Sequence, residues 1–95
     1  MANKKFTLLK TDTKVSWNGK TLFRIKAKVD FGAVVKGEIG GYIEAEKNLD
    51  VSGNAWVYGD ARVYGDAWVY GDAQVYGDAQ VYGDAQVSGD AQVSG

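Results

Sequence analysis

From Val51 the chain repeats every six residues without an insertion: VSGNAW, VYGDAR, VYGDAW, then VYGDAQ three times, VSGDAQ and a closing VSG. A strict short period leaves few ways to fold. Within each hexad Ala-x-Val-Tyr alternates small or apolar residues with polar or aromatic ones, which is strand periodicity, and Gly-Asp interrupts it as a corner. Gly-Asp is also a tight-hairpin signal, but an antiparallel meander fails on parity. In a two-residue hairpin the Tyr and the next Ala share a face, so Ala and Val of successive strands would alternate sides. A coil that bends the same way at every Gly-Asp points all Ala and Val inward. A parallel solenoid is therefore expected.

An aliphatic residue with a small residue two places before it, recurring every six, resembles the hexapeptide-repeat family. That resemblance implies a left-handed parallel β-helix, a triangular solenoid with 18 residues per coil. Like residues should then stack about 4.8 Å apart. Val51, Val69 and Val87 would line one side, Val57, Val75 and Val93 the second, and Val63 and Val81 the third. Outside, Tyr58 would lie over Tyr76, Tyr64 over Tyr82, and Gln74 over Gln92, as ladders of the kind that stabilise stacked parallel strands. Ile39, Ala45 and Val51 also fall six apart, so residues 33–50 are expected to form an irregular first coil before the repeats of 51–95.

Residues 1–32 read as an N-terminal β cap. Phe6–Leu9 is an expected short strand. Lys14–Trp17 and Lys20–Val29 flank Asn18-Gly19, a strong hairpin signal. Phe23, Ile25, Ala27 and Val29 share one face, continued by Phe31, with Arg24, Lys26 and Lys28 opposite. The apolar face is expected to cover the first coil and block one sheet edge. The final repeats carry no such segment. Val87, Asp90, Gln92 and Val93 are the expected self-association surface of a homodimer joined through the C-terminal end of the solenoid.

The stretch from Ala27 to Glu44, with Gly40-Gly41-Tyr42-Ile43-Glu44 at its end, then Asn48-Leu49 and Gly53–Ala61, is similar to small phage and prophage proteins that run out in hexapeptide repeats. The same pattern opens a larger enterobacterial protein carrying a transferase label. This resemblance covers nearly the whole chain and implies phage origin and a solenoid.

Charge is divided along the chain. Residues 1–47 carry ten Lys and Arg against five acids, whereas residues 48–95 carry Arg62 against seven Asp. Such a field orients partners without dictating a fold. With no Cys there is neither a disulfide framework nor a thiolate metal site. With no His the usual base of hexapeptide acyltransferases is missing. No catalytic, cofactor or metal residues are assigned. The corner aspartates read as turn residues beside glycine. No apolar run is long enough for a membrane-spanning helix, and the expected location is the host bacterial cytoplasm.

The remaining candidates are surface residues. Trp56 with Tyr58 and Tyr76 forms one aromatic patch, Trp68 with Tyr70 a second, and Arg62 with Tyr64 and Tyr82 a third. Adjacent Trp and Tyr are enriched at interfaces. The corner acids Asp60, Asp66 and Asp72 head acidic columns that are expected to imitate rows of phosphates. The expected function is a non-enzymatic phage accessory protein that binds a host protein or protein–nucleic-acid complex, such as an inhibitor of host defence of anti-CRISPR or DNA-mimic type. The alternatives are a self-assembling structural solenoid and an acyltransferase-like remnant.

Overall fold

The computed structural model describes residues 4–16, 18–51 and 53–94. Among the described residues ten strands follow in order: β1 Phe6–Val15, β2 Thr21–Ala27, β3 Ile39–Ile43, β4 Trp56–Val57, β5 Arg62–Val63, β6 Trp68–Val69, β7 Gln74–Tyr76, β8 Gln80–Val81, β9 Gln86–Val87 and β10 Gln92–Ser94, with one 3-10 turn at Glu46–Asn48. The repeat segment is parallel throughout. Val57 pairs with Val75 and Val75 with Val93, Val63 with Val81, and Val69 with Val87, each step being eighteen residues. The strands fall into three sheets: β1-β2-β3-β5-β8, β4-β7-β10 and β6-β9.

Each corner is built by its glycine. Gly59, Gly65, Gly71, Gly77, Gly83 and Gly89 all have φ between 59° and 72°, a left-handed backbone that other residues adopt only with strain. The Ala after each Gly-Asp closes the turn by donating its N–H to the carbonyl of the preceding Tyr or Ser, as Ala61 does to Tyr58 at 3.1 Å. The aspartate side chains are left to project from the corners, where all six are exposed.

The first layer departs from the expected frame. Ile43 pairs with Val63 and Leu49 bridges to Val69, steps of twenty rather than eighteen. Two additional residues lie between Leu49 and Val57. The inward residues of this layer are therefore Ile43, Leu49 and Val57, all 1% exposed or less, while Ile39 and Val51 are 46% and 53% exposed. The expected column of Val51 over Val69 is replaced by Leu49 over Val69.

Asn48 explains the choice of frame. It is fully buried, its amide donating to the carbonyls of Gly65 (3.2 Å) and Ala67 (2.8 Å) and accepting from Ala45 N–H at 2.9 Å. The 3-10 turn breaks the backbone ladder here, and one side chain supplies the partners that a strand would have supplied. Glu44 acts similarly, accepting from Gly65 N–H at 2.8 Å.

The cap is a sheet continuous with the solenoid. β1 runs antiparallel to β2, β2 antiparallel to β3, and β3 then pairs in parallel with β5. Phe6–Leu9 and Lys14 onward are one strand rather than two, joined through a bulge between Leu9 and Thr13. The Asn18-Gly19 turn is present, with Gly19 at φ 85°; Trp17 lies outside the described residues. Phe6, Ile25, Ala27 and Val34 close over the first layer in one core with Ile43, Leu49, Trp56 and Val57. Val29 does not join them and is 44% exposed. β2 ends at Ala27, and Phe31 and Val34 exchange backbone bonds in a tight turn instead. Gly40 and Gly41 sit where the cap meets the solenoid. A Cβ on Gly41 would lie 2.5 Å from the Ala61 carbonyl oxygen, and one on Gly40 2.6 Å from that of Val57. Only glycine allows the two backbones to come so close.

Lys5 is drawn into this junction. It is 4% exposed, its Nζ donates to the Asp50 carbonyl at 2.9 Å, and it stands 4.7 Å over the Phe31 ring. Burial lowers its pKa to about 8, against the opposing charges of Asp50 and Asp72. Between about 8 and the ordinary 10.5 the unfolded chain holds a proton that the folded chain has released. Stability should therefore rise as pH climbs through that window. Burial, then the charge of Glu38, raises the Tyr58 pKa, so its contribution falls off above pH 10 and opposes that of Lys5. Thermal unfolding between pH 7 and 10 should show a rising midpoint that Lys5→Met flattens; equal pH slopes in the two proteins would refute this account of Lys5.

Candidate functional site

The three aromatic patches have different fates, decided by which sides the cap covers. Trp56 is not a surface residue. It is 0% exposed, edge-on to Phe31 (centroids 5.3 Å, 69°) and Phe6 (6.4 Å, 70°). The first layer lies directly beneath the cap, whose β2 and 28–38 segment fold down over this side. Tyr58 and Tyr76 remain half-buried and, with Ala33, Gln74 and Gln92, line a shallow groove of about 450 Å³.

Tyr64 is also covered. It is 0% exposed, packed with Leu22 and Tyr42 in a second small core, and stacked on Tyr82 at 5.3 Å and 9°. The Tyr64-over-Tyr82 ladder thus exists, but only Tyr82, 48% exposed, reaches water. Arg62, paired with Tyr42 across the strands, is half-buried. The β1–β2 hairpin extends this side upward as a single sheet and shields the first two layers of it.

The third patch is open. Trp68 is 40% exposed and stacks on Tyr70 with ring centroids 4.0 Å apart and planes at 25°. Above them the chain offers the 3-10 turn and no cap strand. Below, Tyr70 Oη donates to Gln86 Oε1 at 3.3 Å. The same bond, from a Tyr to the Gln sixteen residues on, recurs as Tyr64 to Gln80 (3.1 Å) and Tyr76 to Gln92 (3.5 Å). Hexad Tyr and Gln residues therefore latch successive layers together on all three sides.

Two of the three corner acids assigned to partner binding already have partners within the chain, one in the cap and one in the 3-10 turn. Arg24 Nη2 lies 3.2 Å from Asp60, and Lys47 Nζ 3.0 Å from Asp66. Asp72 is exposed, and its charge acts on Lys5. The charge asymmetry is thus partly satisfied inside the molecule. Arg24 is the centre of this arrangement. It also donates to the Gly40 carbonyl at 3.0 Å and to Tyr42 Oη at 2.6 Å, and its Nε lies 3.1 Å from Asp12. Asn48, Lys5 and the Arg24 cluster escape a sequence reading because partners such as Gly65, Asp50 and Asp60 lie 17, 45 and 36 residues away.

Of the expected self-association residues, Val87 is buried at 7% exposure, Val93 is half-buried, and Asp90 and Gln92 are exposed. β8, β9 and β10 are the edge strands of their sheets. Among the described residues no His, Cys, Asp and Glu side chains gather in threes as a metal site, and no helix is long and apolar enough to cross a membrane.

No curated protein matches the chain. Residues 55–71, 73–89 and 79–95 each match the family described as the YdcK beta-solenoid repeat, which makes residues 55–95 a β-solenoid repeat array similar to those of that family.

Proposed function

We propose that the chain is a non-enzymatic binding protein, a left-handed, three-sided coil that docks a partner macromolecule through its Trp68–Tyr70 side. The eighteen-residue pairing step supports this coil size. The observation that carries the function is the open aromatic pair. The other two aromatic sides are partly covered by the chain's own cap, whereas on this one an exposed Trp stacks on a half-buried Tyr with no cap strand over them. A contiguous exposed aromatic surface is characteristic of interaction sites.

The phage-like leader supports an accessory role against a host complex in the bacterial cytoplasm, of the defence-inhibitor type. The absence of His and Cys supports a binding role over an acyltransferase one. A second copy of the chain pairing along β8, β9 and β10 would continue three ladders at once, which supports a homodimer as a companion assembly.

The test is affinity capture from host lysate followed by mass spectrometry, with wild type beside the Trp68→Ala, Tyr70→Ala double variant. The variant should keep its fold, because neither residue belongs to the buried core, and should lose the specific partner by about tenfold or more, the scale of an aromatic hot spot. Equal recovery by the two proteins would remove the docking surface.

A further inference from the structure

We propose that the Trp68–Tyr70 side receives an arginine- or lysine-rich protein segment, a partner chemistry that rests on the docking reading above. The first support is the arrangement of charge around the aromatic pair. Trp68 and Tyr70 lie between the corners that carry Asp66 and Asp72, and the register Trp68 with Gln86 and Val69 with Val87 places the corners of Asp84 and Asp90 one layer below. All four carboxylates are exposed. Asp66 holds Lys47 in an exposed pair, a weak contact in water that a better-placed cation exchanges. Asp84 and Asp90 hold no ion pair among the described residues.

The second support is how the rest of the molecule treats its aromatic faces. In the cap, Phe23 lies under Lys10 (5.5 Å), Phe31 under Lys5 (4.7 Å), and Tyr42 under both Lys14 (5.5 Å) and Arg24 (4.3 Å). Among the described residues no cation of this chain stands over Trp68 or Tyr70. A guanidinium stacks on an indole or phenol face and forks to a neighbouring carboxylate at the same time. The side offers both halves of that recognition within one hexad. Four exposed carboxylates also repel nucleic acid, so the occupant is the basic surface of a protein rather than a phosphate backbone.

The probe is a fluorescein-labelled peptide of alternating arginine and glycine, followed by anisotropy, with a glutamate–glycine peptide as control. The arginine peptide should bind and the glutamate peptide should not. Trp68→Ala with Tyr70→Ala should weaken binding roughly tenfold, and Asp84→Asn with Asp90→Asn several-fold. Asp78→Asn removes an equal kind of charge from a corner that does not border this side, and should change binding less than about twofold. The proposal falls if the arginine peptide does not bind, if truncating the aromatic pair has no effect, or if Asp78→Asn costs as much as the Asp84→Asn, Asp90→Asn double variant. It also falls if binding appears only at concentrations where the chain self-associates. Loss of lysate capture in the aromatic variant without arginine-peptide binding would keep the docking surface and discard the basic partner. Unchanged capture would discard both.

Discussion

Trp56→Ala is expected to destabilise the protein by about 3–5 kcal/mol, the usual range for truncating a buried Trp. The indole is fully buried between the cap and the first layer of the solenoid, edge-on to Phe6 and Phe31. Its ring also lies beside Gly40, where a Cβ would come within 2.8 Å of it. The backbone there follows the indole closely, so the cavity left by Ala cannot readily collapse. A loss of this size is a large fraction of the stability of an ordinary domain, about 5–15 kcal/mol. Trp68→Ala, at the same position of a hexad twelve residues on, should cost far less, about 1 kcal/mol from the lost stack on Tyr70. Urea unfolding of the two variants side by side makes the comparison. Similar midpoints would contradict the assignment of one Trp to the core and the other to the surface.

The second large effect is expected from Asn48→Asp. The substitution keeps the size and shape of the side chain and the acceptor for Ala45 N–H, but replaces the amide that donates to the Gly65 and Ala67 carbonyls. A carboxylate would face two carbonyl oxygens in a site with no water access. Uncompensated buried charge costs about 3–5 kcal/mol. The loss should shrink as the solution is acidified, because a protonated carboxyl recovers one donor. Unfolding curves at neutral pH and near pH 5 distinguish this from a simple packing defect, which would cost the same at both. A variant as stable as wild type at neutral pH would show that Asn48 does not hold the first layer to the second.

The inward valines and the Gly-Asp corners were legible because the hexad states both locally: parity fixes the face and glycine permits the corner. The Asn18-Gly19 turn was legible for the same reason. The first-layer frame was not. Ile39, Ala45 and Val51 keep a six-residue spacing, and so do Ile43 and Leu49, so periodicity cannot choose between them. Tertiary contacts do, through the Asn48 amide and the close approach at Gly40 and Gly41. The candidate site divides in the same way. Trp56 and Trp68 occupy equivalent hexad positions and read alike as outward aromatics. Only the route of the cap, which runs over one side and not another, makes the first a core residue and leaves the second open. The opposed charges of the two halves were visible in composition, but the pairing of Arg24 with Asp60 and Lys47 with Asp66 depends on the step between layers.

The Tyr-to-Gln latch has a consequence for how such a solenoid changes length. Because every bond of this type joins a residue to one sixteen places on, a duplicated block of residues 75–92 would slot in with all columns in phase and with latches on two sides, Ser88 standing where the third would need a Tyr. It would bring three aspartates and no cation, so reach and acidity would grow together while the seat of the N-terminal sheet stayed untouched. Loss of a lone hexad has the opposite character. It moves everything downstream from one of the three sheets to the next, and the aromatic and acidic stripes that lie beyond it would face a new direction.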